Sequence, residues 1–376
     1  MELSAEVPAR PPQKRLVSLD ALRGFDMFWI VGGGVILGRL AGVLNNQWLN
    51  QVIMPHTEHV PWEGFVAWDL IMPLFLFVVG TAMPFSFAKR LAQGQTKTRL
   101  YLHILFRVLV LWVLGMIVQG QLLEYELSEL RLFSNTLQAI ATGYLIASIL
   151  LLSLRVHWQA VVTLALLLLY WGLLTLVPVP GFGAGQLTEE GNLAIYLDKL
   201  ILGPYQDGTS YTWILSSMTF ATTVMMGALA GQLLRSELNK ARKTLFLLAA
   251  GVACIYLGSW WGMIFPIIKH IWTSSMVLYA GGWSLVLLGI FYLLIDVCRL
   301  RFLAFPFVVI GMNAIFAYVA ASLFMWPVFR SVAKVFLSGL ESRLGPWYET
   351  TVAVAAFLVL WLILLHMYRR KIFVKI

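Results

Sequence analysis

The chain has 376 residues, of which 60% are hydrophobic and only 12% are charged, and its formal net charge is +9. No water-soluble core buries so much apolar surface while keeping so little polar surface to cover it, so the composition excludes an ordinary soluble domain and indicates a polytopic membrane protein. The positive net charge is explained by basic residues that set membrane orientation, and it requires no nucleic-acid partner.

Ten apolar runs are long enough to cross about 30 Å of hydrocarbon as helices, which takes about 20 residues each. They lie near residues 18–38, 65–88, 101–119, 133–154, 158–177, 212–234, 244–264, 273–296, 303–325 and 350–368. The runs are apolar on all sides, whereas β-barrel spans alternate apolar and polar residues. The sequence therefore predicts an all-α fold, a polytopic membrane helix bundle of about ten transmembrane helices.

Basic residues are distributed unevenly among the segments that join these runs. If the N-terminus is cytoplasmic, the inner segments hold 18 of the 27 Lys and Arg residues and the outer segments hold seven. This positive-inside pattern predicts cytoplasmic N- and C-termini. We expect a cytoplasmic N-terminal segment at residues 1–15 and a single transmembrane domain at residues 16–376, with outer loops near 39–62, 178–211 and 326–349.

The first predicted helix carries three ionisable residues on one face, Asp20, Arg23 and Asp26, at a spacing of i, i+3, i+6. Asp20 and Arg23 can neutralise each other. Asp26 lies deeper in the helix and needs a partner from another helix or a wet cavity. The glycines at 32–34 weaken the same helix and permit either close backbone approach or local unwinding.

Asp69 lies in the second apolar run, shortly after a polar segment that contains His56, His59 and Glu63. A carboxylate inside a membrane span is costly, so its presence implies a partner or a water-filled cavity. Histidine suits proton exchange near neutral pH, because its unperturbed pKa is about 6.5. The two histidines lack a third ligand at a matching spacing and Pro61 disfavours a regular helix, so we predict no metal site.

Two amides lie in otherwise apolar predicted helices, Gln138 in the fourth and Asn313 in the ninth. Each can serve as a hydrogen-bonding contact between helices. A shared cavity would explain both amides together with Asp26 and Asp69.

Five segments resemble, in the same order, motifs of the heparan-alpha-glucosaminide N-acetyltransferase family and its bacterial relatives. They are residues 15–26, 59–65, 69–75, 269–275 and 311–314. The resemblance implies a transmembrane acyltransferase that acetylates the amine of a terminal glucosamine on the far side of the membrane with cytosolic acetyl-CoA. Heparan sulfate as the substrate does not carry over, because the sequence departs from the lysosomal enzyme, for example at Glu63, where that enzyme has an amide.

The resemblance assigns the active-site histidine to His59, just before the W-x-G motif that begins at Trp62. Acetyl transfer from a thioester to an amine needs a base, or a nucleophile that carries the acetyl group, and donors to the oxyanion. His59 can fill either of the first two roles, and the sequence does not separate them. The residues predicted to be catalytic are His59, Asp69 and Asn313.

The other predicted site residues fall into two groups. Those expected to bind the amino sugar are Asp26, His56, Trp62 and Glu63. Those expected to bind acetyl-CoA are Gln138, Arg15, Arg23 and Lys89, since cations of the inner face can hold the CoA phosphates.

A transporter for an amino sugar or its N-acetylated form is the alternative function, because buried carboxylates and broken helices suit a permease equally well. Against it, the second half of the chain does not repeat the polar pattern of the first half, whereas many transporters have pseudo-symmetric halves. The partners we expect are acetyl-CoA, an amino-sugar acceptor and the lipid of a bacterial inner membrane. The sequence leaves open whether the chain forms a homodimer.

Overall fold

The computed structural model of the protein describes residues 16–374. The fold is 76% helical, and its described part contains isolated β-bridges but no strand. The helices of this part are α1 Val17–Phe28, α2 Gly34–Leu44, α3 Ile71–Ala92, α4 Lys97–Val118, α5 Thr136–Ser153, α6 Val156–Leu176, α7 Leu193–Leu202, α8 Ser217–Arg235, α9 Lys240–Gly262, α10 Ser274–Phe291, α11 Arg301–Gly311, α12 Ala314–Phe324, α13 Arg330–Leu337, α14 Glu341–Leu344 and α15 Tyr348–Arg369.

Nine helical segments between residues 16 and 374 are long and apolar enough to cross a membrane. A tenth span arises if α11 and α12, which meet at a bend of 62°, count as one. This confirms the predicted all-α membrane bundle of about ten helices, and the protein is an integral, multi-pass membrane protein.

The segments predicted as outer loops contain more helix than the sequence indicated. Helix α2 runs to Leu44, into the segment predicted as 39–62, before the chain becomes irregular. The segment 178–211 contains α7, and the segment 326–349 contains α13 and α14. These helices are too short or too polar to stand out as membrane-spanning runs.

Helices α3 and α8 form the centre of the bundle. They cross closely because small residues face the opposite backbone: a Cβ atom on Gly80 would clash with the carbonyl of Val224, and one on Gly227 with the carbonyl of Phe77. Membrane helices gain little from hydrophobic burial against each other, so close packing of this kind is a main source of their association energy. Helices α5 and α10 pack around the pair, and α1 packs against α11.

The first span is broken at its glycines. A π-helical turn, Trp29–Gly33, separates α1 from α2. At the start of α2, the indole ring of Trp68 occupies the place where a Cβ atom on Gly34 would lie. The local unwinding and the close approach predicted for residues 32–34 therefore both occur, and the contact holds the first span beside the start of α3.

The order of the spans defines two ends of the bundle. The start of α3, the segment 177–192 and the start of α15 lie at one end, which we call the His59 end. Two contacts agree with this arrangement: the Trp62 indole N–H, shortly before α3, donates to the Leu187 carbonyl, and Arg39 of α2 pairs with Glu349 at the start of α15. The loop between α3 and α4 lies at the opposite end.

A labelling experiment tests the predicted orientation. In a Cys254→Ser, Cys298→Ser background, single cysteines replace Gln93 or Ala184, which are exposed at opposite ends of the bundle. Because the cation distribution predicts a cytoplasmic α3–α4 loop, an impermeant maleimide should label Ala184→Cys in intact cells and Gln93→Cys only after the membrane is opened. The reverse pattern would place the His59 end in the cytoplasm.

Candidate active site

Asp69 lies in a 3-10 turn, Ala67–Leu70, that precedes α3. Its side chain is 1% exposed, and its Oδ2 accepts a hydrogen bond from the Val66 backbone N–H at 3.2 Å. Residues 65–66 are not helical although they are apolar. The carboxylate therefore lies at the end of the span, less deep than the apolar run suggested, and packed protein rather than lipid buries it.

His59 lies in the irregular segment between α2 and α3, with its Nδ1 2.7 Å from Oδ1 of Asp69. The imidazole is 43% exposed, in contrast to its buried partner. A carboxylate beside Nδ1 favours the tautomer that carries its proton on Nδ1 and leaves a lone pair on Nε2. The pair therefore presents a basic or nucleophilic nitrogen at an open surface.

Lys269 is the third member of this cluster, and it is not among the site residues predicted from the sequence. Its Nζ lies 3.3 Å from Oδ1 of Asp69, 3.0 Å from Nδ1 of His59 and 3.5 Å from Nε2. Only 4% of the lysine side chain is exposed. Burial lowers the pKa of Lys269 to about 8, although the charge of Asp69 acts in the opposite direction. The ammonium thus remains mostly protonated at neutral pH and neutralises the buried carboxylate.

The segment that carries Lys269 is firmly anchored. Trp272 adopts a left-handed backbone conformation with φ of 50°, and its buried indole N–H donates to the Thr223 hydroxyl at 3.1 Å. The Tyr170 hydroxyl donates to the Ile271 carbonyl. A non-glycine residue in this conformation costs of order 1–3 kcal/mol and persists only where its surroundings overdetermine it. The lysine is therefore held in place before any substrate binds.

The segments that carry His59 and Lys269 pair through their backbones. Glu63 and Ile268 form an antiparallel bridge, which fixes the register between two distant parts of the chain. The side chain of Glu63 is exposed. His56 is also exposed, and its Nδ1 lies 3.5 Å from the backbone nitrogen of residue 67. The structure thus brings these two predicted residues near the cluster, on its outer side.

Three rings lie beside the cluster, and we call Trp62, Tyr211 and His270 the aromatic rim. Tyr211 and His270 stack with their centroids 4.1 Å apart, and Trp62 meets His270 edge to face at 5.3 Å. The ammonium of Lys269 lies 5.9 Å from the Tyr211 ring centroid. Burial, and then the positive charge of Lys269, lower the pKa of His270 to about 4. This second histidine is therefore neutral at physiological pH.

Several predicted site residues lie away from His59. Asp26 is buried on α1, and within the described chain neither of its carboxylate oxygens has a hydrogen-bond partner. Arg23 lies 3.8 Å from Asp20, as expected if the two neutralise each other. Lys89 is exposed in the last turn of α3, at the end opposite to His59. Arg15 falls outside the described residues.

Both predicted amides hydrogen-bond to the protein backbone. The Gln138 amide bonds to residues 132–134 before α5, at 2.6 and 2.9 Å. The Asn313 amide lies at the bend between α11 and α12 and bonds to residues 372–374 after α15, at 3.1 and 2.9 Å. The structure brings neither amide to His59, and each fastens a connecting segment to the bundle.

Known proteins resemble the chain over almost its whole length. Residues 15–185 match a family described as a domain of unknown function, DUF5009. Over 98% of its length, the chain is 27% identical to the heparan-alpha-glucosaminide N-acetyltransferase of Homo sapiens and 25% identical to that of Mus musculus. The chain spans 60% and 61% of the length of these two relatives. These similarities agree with the resemblance of the five sequence segments to the heparan-alpha-glucosaminide N-acetyltransferase family.

Proposed function

We propose that this protein is a bacterial inner-membrane N-acetyltransferase, which moves the acetyl group of cytosolic acetyl-CoA to the amine of a glucosamine-type amino sugar on the outer face. The observation that carries the proposal is the contact of the half-exposed His59 with the buried pair Asp69 and Lys269. The names of its relatives, N-acetyltransferases of a glucosaminide, support the same reaction class.

His59 supplies the nitrogen that this reaction needs. With Nδ1–H bound to Asp69, Nε2 takes a proton from the amine while the amine nitrogen forms the amide bond and the CoA thiolate leaves. In a second route, Nε2 attacks the thioester and releases the thiolate, and the amine then displaces the imidazole, whose Nε2 accepts the proton that the amine loses. Both routes place positive charge on the imidazole ring, where the adjacent carboxylate stabilises it.

Lys269 is the oxyanion donor in this proposal. Its Nζ lies 3.5 Å from Nε2 of His59, so an acyl group at that nitrogen would hold its oxygen within reach of the ammonium. In the resting site the same ammonium neutralises Asp69, so the carboxylate orients the imidazole without being left as an unpaired buried charge.

The amino sugar and the CoA phosphates are assigned to opposite ends of the bundle, so the pantetheine arm has to run along the bundle to bring the thioester to Nε2 of His59. At the His59 end, the aromatic rim offers amphipathic rings for the apolar face of a sugar, and the exposed Glu63 adds negative charge that attracts an ammonium. The CoA phosphates are assigned to the other end, to the exposed Lys89 and to Arg23, which also pairs with Asp20.

Purified protein incubated with acetyl-CoA and glucosamine tests the proposed reaction. We expect free thiol to appear only when both substrates are present, together with N-acetylated sugar. Proteoliposomes without acetyl-CoA should take up no amino sugar, because the proposed function is transfer and not transport. Sugar uptake without thiol release would overturn the proposal in favour of the transporter.

The pKa of Lys269 gives an expected alkaline limit to the activity. The ammonium loses its proton as the pH rises through about 8, so kcat/KM should fall above that pH. An amine acceptor becomes more reactive as it loses its own proton, so a fall in kcat/KM with rising pH would come from the titration of a group on the enzyme. Lys269→Gln should lower kcat/KM by about 100-fold, the loss of one oxyanion donor, and remove this limb of the profile.

Lys269→Arg is the matched variant for this pH profile. Its guanidinium stays protonated throughout the range, so the alkaline limb should move to higher pH while part of the activity is retained. An alkaline limb that is identical in the wild type and in both variants would assign the titration to another group.

A further inference from the structure

A cavity lies near the His59 end, between the first span, α12 and α15. Its volume is about 220 Å³, and most of its wall is apolar, with Val31, Val35 and Phe357 among the lining residues. The polar part of the lining includes Arg39, which belongs to a charged cluster at the mouth. His59, Asp69 and Lys269 are not part of this lining, so the cavity is distinct from the candidate active site.

Three cations surround one carboxylate at the mouth of this cavity. A Glu349 carboxylate oxygen lies 2.7 Å from Arg330 and 3.7 Å from Arg39, and the other oxygen lies 3.6 Å from Lys334. These four side chains are between 31% and 44% exposed, so a ligand can reach them. Together they carry two more positive than negative charges, which favours an anion.

The position of these cations in the chain is itself informative. The sequence places seven Lys and Arg residues in outer segments, where the positive-inside pattern disfavours them, and three of the seven meet at this mouth. Membrane orientation does not account for a cluster of cations on the disfavoured side. A ligand that needs positive charge there does account for it.

Helix α13, at the mouth of the cavity, is amphipathic. Arg330 and Lys334 are one helical turn apart and both reach Glu349, whereas Val335 and Phe336 are 74% and 83% exposed. A short amphipathic helix with basic residues and exposed apolar side chains lies in the interface plane of a bilayer. With α13 in that plane, the cations would lie at the level of the lipid headgroups and the apolar walls beside the acyl chains.

We propose that this cavity binds an anionic phospholipid, with its phosphate held by Arg39, Arg330 and Lys334 and part of an acyl chain against the apolar walls. Arginine presents its N–H donors in a fork that matches phosphate oxygens, and lysine adds a point charge. A free phosphate would use the charged mouth alone and leave the apolar walls uncovered. Glu349 competes with the lipid phosphate for the same three cations.

Native mass spectrometry of delipidated protein tests the proposal with phosphatidylglycerol, phosphatidylcholine and inorganic phosphate as probes. Wild-type protein should bind phosphatidylglycerol at least 10-fold more tightly than phosphatidylcholine. Arg39→Gln and Arg330→Gln should each weaken phosphatidylglycerol binding several-fold. Arg343→Gln, an exposed cation of α14 outside the cluster, should leave the affinity unchanged.

Glu349→Gln gives an expected change of opposite sign, because it removes the competing carboxylate and should tighten phosphatidylglycerol binding. This variant keeps all three cations, so it remains informative if Arg330→Gln does not fold. Equal affinities for the two lipids would overturn the proposal. If inorganic phosphate displaced the lipid at equal concentration, the cavity would be a site for a free anion and the lipid proposal would be overturned. This experiment measures lipid binding and not acetyl transfer. Either of these two results would therefore overturn the lipid site without affecting the proposed N-acetyltransferase function.

Discussion

Replacement of His59 by alanine is expected to abolish acetyl transfer while leaving acetyl-CoA binding largely intact. The imidazole acts on a proton or on the acyl group in the proposed mechanism, and it lies at the end of the bundle opposite to the proposed CoA phosphate site. Loss of a general base alone lowers a rate by about 100- to 10,000-fold, and loss of a nucleophile lowers it further. Thiol release and calorimetric titration with acetyl-CoA, on the same preparation, measure the two properties.

His56→Ala is the matched control for this experiment. His56 lies three residues before His59 and is also exposed, but no hydrogen bond between His56 and Asp69 is found in the described part of the protein. We expect its effect on turnover to be small. Wild-type turnover in His59→Ala, or a larger loss in His56→Ala, would show that the wrong histidine was selected.

His59→Ala, compared with the wild type, also distinguishes the two chemical routes. When wild-type protein is incubated with labelled acetyl-CoA in the absence of acceptor and the reaction is quenched rapidly, label should remain on the protein if the imidazole carries the acetyl group. His59→Ala should then retain no label. Absence of label from the wild type as well, with turnover intact, would indicate direct transfer.

Much of the fold could be predicted from the sequence because the bilayer limits the choices. In lipid, an apolar run of about 20 residues commonly forms a membrane-spanning helix. Composition and run length were therefore enough to predict the membrane spans. The start of α3 was harder to predict. Val66 is apolar but extended, because the carboxylate of Asp69 bonds back to its N–H and begins the helix there.

Lys269 illustrates what sequence reasoning missed in the site. Lys269 is one of the seven cations of the outer segments, and only the fold brings it to Asp69, which is 200 residues away in the chain. A signal was nevertheless present: the lysine is a cation on the side that the positive-inside pattern disfavours, next to the apolar residues of segment 263–273. An outer cation that is flanked by apolar residues is thus a candidate partner for a buried carboxylate.

The predicted shared cavity of amides and carboxylates failed for a different reason. An amide has two donors and an acceptor that the backbone satisfies as readily as a ligand does. Gln138 and Asn313 satisfy theirs on the segments 132–134 and 372–374. Whether a buried amide serves a loop or a substrate depends on contacts between distant segments, which residue type and position do not reveal.

Replacement of Asp69 by asparagine should reduce both activity and stability, and a second substitution should separate the two effects. The amide presents an N–H₂ group that competes with the Nδ1–H of His59 for the position between them, so the imidazole loses its fixed tautomer and the carboxylate that stabilises its charge. We expect kcat/KM to fall by about 100-fold or more, as for the loss of one preorganised electrostatic contact.

The stability loss in Asp69→Asn comes from Lys269, because its buried ammonium would lose its carboxylate partner. The charge of Asp69 raises the pKa of Lys269, so its removal lowers that pKa from about 8. The unfolded chain then binds the lysine proton more strongly than the folded one, and the melting temperature of Asp69→Asn should rise with pH toward that of the wild type.

The double variant Asp69→Asn, Lys269→Gln completes the test, since it removes both members of the buried ion pair. Thermal unfolding in detergent and acetyl transfer are measured on all variants at pH 7. We expect the double variant to recover most of the melting temperature lost in Asp69→Asn, because no unpaired charge remains buried. Its activity should stay at or below that of Asp69→Asn, since the orienting carboxylate and the oxyanion donor are both absent. Recovery of activity together with stability would make Asp69 a structural anchor and remove it from the catalytic site.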